Sequence, residues 1–341
     1  MQPDLSIIIP VYNRGDLIRY TLESITRASD GLNVETIIVD DGSTTPVADS
    51  LARIGFSPSQ LFRQENQGLL FARLAGLTLV TGRHVLFLDS DDLVSTEKFR
   101  LQLAAMTATG ADISYSDTAR CEVAGDFSAL QYLPDPPTFD TTDGAEFCIV
   151  VQPVPHSPIF RTDWLQRAVD AAFFPADKLY NSVAEIWFYH NAAIQPGRSV
   201  RVPGPHTIIG SHPGVRLTNN WERLGVASLA VMEAFARACP RTTETVRVRA
   251  LVGEVAFRSW RRLPRDFSAE FGGRLLKLWR ELAAGHRSPS LGGSLFRAAS
   301  TLVGAENAGH LFRRLQAQPY EQCRTMDDAA FGRLLRALPA P

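Results

Sequence analysis

Three carboxylates crowd into four positions of this chain: Asp89, Asp91 and Asp92, in the run Phe87-Leu88-Asp89-Ser90-Asp91-Asp92. Like charges at that spacing repel, and a hard divalent cation such as Mn²⁺ or Mg²⁺ is the usual remedy for clustered oxygen ligands. An apolar segment, His84 to Leu88, leads into them with the pattern of a strand buried in a parallel sheet. Acids at the C-terminal end of such a strand stand at the open edge where α/β sheets bind ligands. The same residues also suit a helix start, because Asp and Ser cap helices and Ser95-Thr96-Glu97-Lys98-Phe99 has helical character. A second acidic pair, Asp40-Asp41, ends the apolar run Val34 to Val39. Gly42-Ser43 follows it, which is turn chemistry.

The elements that must position these acids alternate strand and helix, the signature of a mainly parallel sheet flanked by helices. Leu5–Val11, Val34–Val39, Arg83–Leu88 and Asp112–Tyr115 are expected as strands; Asp16–Arg27, Val47–Ile54, Leu69–Val80 and Phe99–Gly110 as helices. Between residues 121 and 157 the prolines at 134, 136, 137, 153 and 155 mark loops, which suit a substrate-facing region. A strand at Ser157–Arg161, a helix from Thr162, a helix at Ala184–Ala193 and a strand at Ser199–Val202 are expected next. After Trp221 the pattern is helical. The expected division is an α/β domain over residues 1–220 and a helical region over 221–341.

The chain has 341 residues, 45% hydrophobic and 21% charged, enough for a sizeable core. Four widely spaced cysteines, with no Cys-x-x-Cys pair, argue against zinc or a redox motif and for a reducing compartment, so a cytoplasmic location is expected. The N-terminus lacks a basic n-region, Pro10 breaks its apolar run, and no apolar stretch approaches the roughly 20 residues of a spanning helix. Charge is uneven. Residues 1–220 hold 16 Lys and Arg against 25 Asp and Glu, net −9; residues 221–341 hold 19 against 11, net +8. The acidic half suits a metal site. The basic half suits an anionic surface, a membrane or a lipid phosphate rather than nucleic acid, unless the two halves complement each other. In Phe271–Leu282, Arg274, Lys277 and Arg280 flank Phe271, Leu275 and Trp279. That face reads either as a peripheral membrane contact or as ordinary core.

The order SIIIPVYNR, IIVDDGS, ENQG with FARLAG, then TGRHVLFLDSDD strongly resembles family 2 glycosyltransferases of the GT-A fold, densely over residues 5–100 and with gaps to about residue 218. The resemblance implies transfer of a sugar, with inversion, from a nucleotide-diphosphate donor such as a UDP-sugar to a hydroxyl of a glycan or lipid-linked acceptor. Asp89-Ser90-Asp91 then matches the metal-binding DxD element, with Asp91 on the cation, Asp89 assisting and Ser90 beside the nucleotide. Pro10, Tyr12 and Asn13 match the strand edge that packs on the base. Asp41 matches the carboxylate that accepts the base imide, with Asp40 its neighbour and substitute. Arg14 and Arg73 are candidates for the pyrophosphate. His212, within Ile209–Thr218, resembles a loop histidine that ligates the metal or reaches the diphosphate.

One block departs from the pattern. The segment Phe174–Trp187 aligns with one whose Glu-Asp dipeptide supplies the catalytic base, but Ser182 and Val183 occupy those positions. The nearest carboxylate is Glu185, with Asp177 in reserve. A helix turns about 100° per residue, so Glu185 can serve only if the helix starts late or is rotated. A non-catalytic nucleotide-sugar binder and a sugar nucleotidyltransferase are the rival readings; the second lacks a Gly-rich basic loop after the first strand.

Overall fold

All seven residues of β1 (Leu5–Val11) are buried, so both faces of this strand must be covered. β1 is parallel to β2 (Val34–Asp40), with Leu5 opposite Val34 and Val11 opposite Asp40. On its other side lies β4 (His84–Phe87), also parallel, with Ile8 opposite Phe87. β3 (Gln60–Arg63) adds a parallel edge to β2. The remaining strands are β5 (Leu93–Val94), β6 (Ile113–Glu122), β7 (Leu133–Pro134), β8 (Ile159–Arg161) and β9 (Ser199–Ser211). The sheet order is β3-β2-β1-β4-β8-β6-β9-β5, with β7 paired to β6. β8 is antiparallel to both β4 and β6, so it joins the parallel half to a mixed half.

Helices α1 (Ile18–Ala28), α2 (Val47–Ile54), α3 (Leu69–Leu77), α4 (Lys98–Thr109), α5 (Gly144–Glu146), α6 (Thr162–Asp170) and α7 (Ala184–Ala192) accompany this sheet. Ile7, Ile9, Leu86 and Leu88 pack with Leu22 and Ile25 of α1 and Phe99, Leu103 and Met106 of α4 in one core. The fold is the expected α/β class with a helical C-terminal region. β9 runs nine residues beyond the expected strand, through Pro203 and Pro205. Its pairing with β6 changes register there, between Val202–Ser116 and Thr207–Thr118, and that irregularity accommodates the prolines.

The computed structural model describes residues 1–212, 219–283, 291–316 and 318–339. The chain falls into two units, Met1–Ala172 with Ala176–Gly214, and Phe173–Pro175 with Val215–Pro341. The second unit holds α8 (Trp221–Ala238), α9 (Val246–Arg262), α10 (Ala269–Leu282), α11 (Ser294–Val303), α12 (Ala305–Gln316) and α13 (Asp328–Arg336). The α10 face carrying Phe271 and Leu275 is core, not membrane contact: both are buried, and Trp279 lies 4.4 Å from Phe257 of α9. Arg274, expected to flank that face in water, is itself buried and grips Glu233 of α8 through two bonds of 2.7 and 2.5 Å. Burying so much charge is tolerable only because the pair is bidentate. No helix among the described residues is long and apolar enough to cross a membrane.

Candidate active site

Because β1, β2 and β4 are parallel and in register, their C-terminal ends reach one edge of the sheet together. That edge carries Tyr12–Arg14 after β1, Asp40–Asp41 at the end of β2 and Asp89–Asp92 after β4. Pro10 lies within β1 opposite Val39. Tyr12 is 51% exposed. Asn13 takes a left-handed φ of 52°, its N–H donates to Ser43 Oγ at 3.0 Å, and its Oδ1 accepts Thr44 N–H at 2.8 Å. Asn13 thereby locks the end of β1 to the turn after β2. The Arg14 carbonyl accepts from Leu17 and Ile18 and opens α1.

The two acids of β2 separate into different roles. Asp40 acts as a structural cap: it accepts Ser43 N–H and Val47 N–H, the latter in the first turn of α2, and pairs with Arg63 at 3.0 Å. Asp41 accepts from Gln64 Nε2, Gln67 N–H and Gly68 N–H at 2.8, 2.9 and 2.8 Å. A carboxylate offers about four acceptor positions. Three are filled, so about one is left open.

Asp89 and Asp91, two residues apart in the turn, face different partners. Asp89 Oδ1 accepts from Arg73 Nη2 at 2.7 Å. Arg73 has no exposed side-chain surface and forms an internal strut. Its other nitrogen, Nη1, lies 3.4 Å from Glu185 Oε2, and its guanidinium stands 5.7 Å from the Phe87 ring. Asp91 Oδ2 lies 3.0 Å from His212 Nε2. Ser90, between the acids, is buried. Asp92 is buried as well; it accepts Gly210 N–H at 2.8 Å and lies 3.1 Å from His156 Nδ1, so it anchors the turn to β9. The rest of the expected histidine loop, residues 213–218, lies outside the described residues.

Glu185 lies in the first turn of α7, which begins at Ala184 as expected. Val183, just before that helix, has φ −139° and ψ 42°, a non-helical conformation. The Glu185 side chain keeps 26% of its surface, and Glu185 and Asp89 bind different nitrogens of the same Arg73 guanidinium. Burial raises the Glu185 pKa above the usual carboxylate value, Arg73 opposes that rise, and Asp89 adds to it. Val183, at the family's base position, is buried. Asp177 caps the short helix Lys178–Val183 by accepting Leu179 N–H, so its carboxylate serves the backbone.

Two further groups support the site without having been singled out by sequence. Asn181 donates to Gln67 O and accepts Leu70 N–H, clamping the loop that holds Asp41. Lys98 is fully buried and donates to Ser157 O and Thr207 Oγ1, both at 2.8 Å; burial drives its pKa well below the ordinary lysine value. Their partners lie 59 to 114 residues away in sequence, beyond what local pattern carries.

Comparisons with known proteins agree with this geometry. Residues 6–168 match the family described as Glycosyl transferase family 2. An uncharacterized glycosyltransferase of Rickettsia bellii is 33% identical over 126 residues, 36% of this chain and 18% of that protein. The chain spans only 18–50% of the length of the first curated relatives it matches. Among solved structures, S. aureus TarS 1-349 in complex with UDP-GlcNAc superposes with a TM-score of 0.65 at 16% identity, covering 95% of this chain and 93% of that one. The mannosyltransferase PcManGT from Pyrobaculum calidifontis, in complex with GDP-Man and Mn²⁺, gives 0.50 at 15% identity over 92% and 87%. Residues 6–168, which carry the motifs on the sheet edge, are similar in sequence to glycosyl transferase family 2.

Proposed function

We propose that this chain transfers a sugar, with inversion, from a UDP-linked donor to a hydroxyl of a glycan or lipid-linked acceptor. The observation that carries the reading is Arg73, which joins Glu185 to Asp89 of the acidic turn, so a carboxylate of raised pKa stands beside the diphosphate-side acids. The UDP-GlcNAc bound by TarS supports a UDP donor, and the Mn²⁺ bound by PcManGT supports a divalent cation.

The donor set fits such a cation in a limited way. No group of three or more His, Cys, Asp or Glu able to hold a metal occurs among the described residues, so Asp89, Asp91 and His212 do not form a three-ligand cage. Asp91 and His212 offer one carboxylate and one imidazole at one point. Mg²⁺ and Mn²⁺ sites of this chemistry commonly take only one or two protein ligands, with substrate phosphate and water completing the shell. Asp91 and His212 would hold the ion, and when bound it would supply positive charge to the leaving diphosphate.

The residues of the chain do the rest. Tyr12 stacks on the base and the open acceptor position of Asp41 takes its imide N–H. Glu185 accepts the acceptor hydroxyl proton as that oxygen bonds to the anomeric carbon and the bond from that carbon to the diphosphate oxygen breaks. Arg73 fixes Glu185 in place throughout. Residues 1–220 form the catalytic domain in this reading, and the enzyme works in the cytoplasm. Val183, inert at the expected base position, favours a second reading, a binder that no longer turns over. A panel of sugar nucleotides with Mn²⁺, assayed for transfer and slow donor hydrolysis, separates the two. Metal-coupled UDP binding without turnover of any donor would leave the binder.

A further inference from the structure

Within the second unit, Arg265, Asp266, His310, Arg313 and Arg314 line a cavity of about 180 Å³. One carboxylate, three guanidinium groups and an imidazole are thus among the groups that line it. Neighbouring acids are committed elsewhere: Glu306 to Arg280, and Glu321 to Arg324. The region from residue 221 onward is net +8, so the long-range field favours an anion as well.

Arg265, Asp266, His310 and Arg314 are exposed, and the wall is held by packing at Arg313. Arg313 donates to the Pro264 carbonyl at 3.1 Å, and its guanidinium stands 5.2 Å from the Trp260 ring centre. Its Nε is buried and has no acceptor among the described residues. Burial lowers the Arg313 pKa, and Asp266 only partly opposes that. Trp260 is itself buried, meets His310 edge-on at 4.9 Å, and lies so close to Gly309 that a Cβ there would come within 2.4 Å of the ring. Arg265 is pinned through its backbone, donating to Gln318 O and accepting from Tyr320 N, both at 2.9 Å. Its neighbour Asp266 sits at a φ of 63°.

We propose that this cavity binds a phosphoryl group, either free phosphate or the phosphate of an ester carried by the acceptor. Clustered arginines recognise phosphate through planar, charge-assisted donor pairs. The volume lies below the roughly 300–1,000 Å³ of ordinary small-molecule sites, so it suits a phosphate rather than a whole nucleotide. Binding itself does not depend on the transferase reading; only its use as a hold on the acceptor rests on that reading.

The test uses the full chain and the double variant Arg265→Gln/Arg314→Gln, whose side chains line the cavity, while the bonds of Arg265 to Gln318 and Tyr320 are made by its backbone. Inorganic phosphate and glycerol 3-phosphate are titrated by calorimetry, and phosphatidylglycerol and phosphatidylcholine vesicles are tested by sedimentation. Circular dichroism confirms that the variant is folded. Wild type should bind phosphate or its ester, and the variant should bind about tenfold or more weakly. UDP–Mn²⁺ affinity should be equal in both, which keeps failure of this site distinct from failure of the nucleotide site. Variant-sensitive binding to phosphatidylglycerol vesicles alone would identify a lipid headgroup as the source; variant-sensitive binding of soluble phosphate without vesicles would identify a free or glycan-borne one. Equal phosphate affinity in wild type and variant, or no binding of any probe by folded wild type, overturns the proposal.

Discussion

Arg73 and Glu185 stand 3.4 Å apart, with Arg73 wholly buried and Glu185 at the surface of the same cluster. Through its other nitrogen Arg73 also holds Asp89 at 2.7 Å. The proposed base is therefore positioned by the same cation that orients the acidic turn. Replacing Glu185 by Gln removes a proton acceptor at nearly constant shape. Transfer should fall by about 10²–10⁴-fold, the range of a lost general base, while UDP affinity stays within a few fold. Transfer by Glu185→Gln at the wild-type rate would remove Glu185 from the mechanism.

Removing the cation itself has a different signature. Arg73→Met leaves Asp89 and Glu185 without their shared counter-charge. Breaking a buried pair from one side costs about 3–5 kcal/mol. Both carboxylates keep about a quarter of their surface, so solvent screening puts the expected loss at or below the low end of that range. Adding Glu185→Gln should restore part of it, because one stranded charge disappears. Urea denaturation of the two single variants and the double variant measures this directly. Strict additivity would show that Arg73 does not couple to Glu185.

Asp91 and His212 should show metal linkage instead. In wild type, Mn²⁺ should strengthen UDP binding and raise the melting temperature in the presence of UDP by mass action. Asp91→Ala should abolish that dependence, and His212→Ala should weaken it, with little effect on UDP affinity measured in chelator. Calorimetry with and without Mn²⁺ decides. The metal assignment fails if wild type and Asp91→Ala bind UDP equally under both conditions.

Much of the α/β half was legible because β1, β2 and β4 are buried on both faces and are largely apolar. β3 was not, since Leu61 and Phe62 are exposed on this short edge strand. The far half of β9 was hidden by Pro203-Gly204-Pro205, which locally reads as a stop. At the site, the acids were visible as a motif, but their division of labour was not. Asp40 and Asp41 are adjacent and chemically identical, and only the tertiary positions of Arg63, Gln67 and Gly68 make one a cap and the other a loop anchor. Arg73 was a candidate for the pyrophosphate, and nothing in its local sequence marked it as buried. Its two carboxylates lie 16 and 112 residues away, a pairing no local spacing encodes.

Acid should destabilise the first unit through its buried histidines. His190, buried in α7, bonds the Ile186 carbonyl, and burial lowers its pKa from 6.5 to about 4. The unfolded chain therefore binds a proton that the native one refuses between those values, so stability rises with pH in that window. The contribution is fully present above pH 6.5 and is lost as pH falls toward about 4, a total on the order of 3 kcal/mol. His190→Gln should flatten that part of the stability–pH curve. Identical slopes for wild type and variant between pH 6.5 and 4.5 would refute this account.

The loop that carries the Asp41 partners depends on Gly68 and Asn181 together. Gly68 has a φ of 96°, and a Cβ added there would come within 2.1 Å of Asn181 Nδ2. Asn181 meanwhile bonds both sides of the glycine, at Gln67 O and Leu70 N. Asn181→Ala should cost about 1 kcal/mol for the lost bonds and weaken UDP binding a few fold as the loop loosens. Gly68→Ala should cost more, combining the clash with about 1–3 kcal/mol of backbone strain. In the double variant the clash is gone but the strain remains, so the loss should be smaller than the sum of the two. A urea double-mutant cycle reads that difference. A coupling of zero would mean that Asn181 does not abut Gly68 in solution, and the clamp on the nucleotide loop would have to be abandoned.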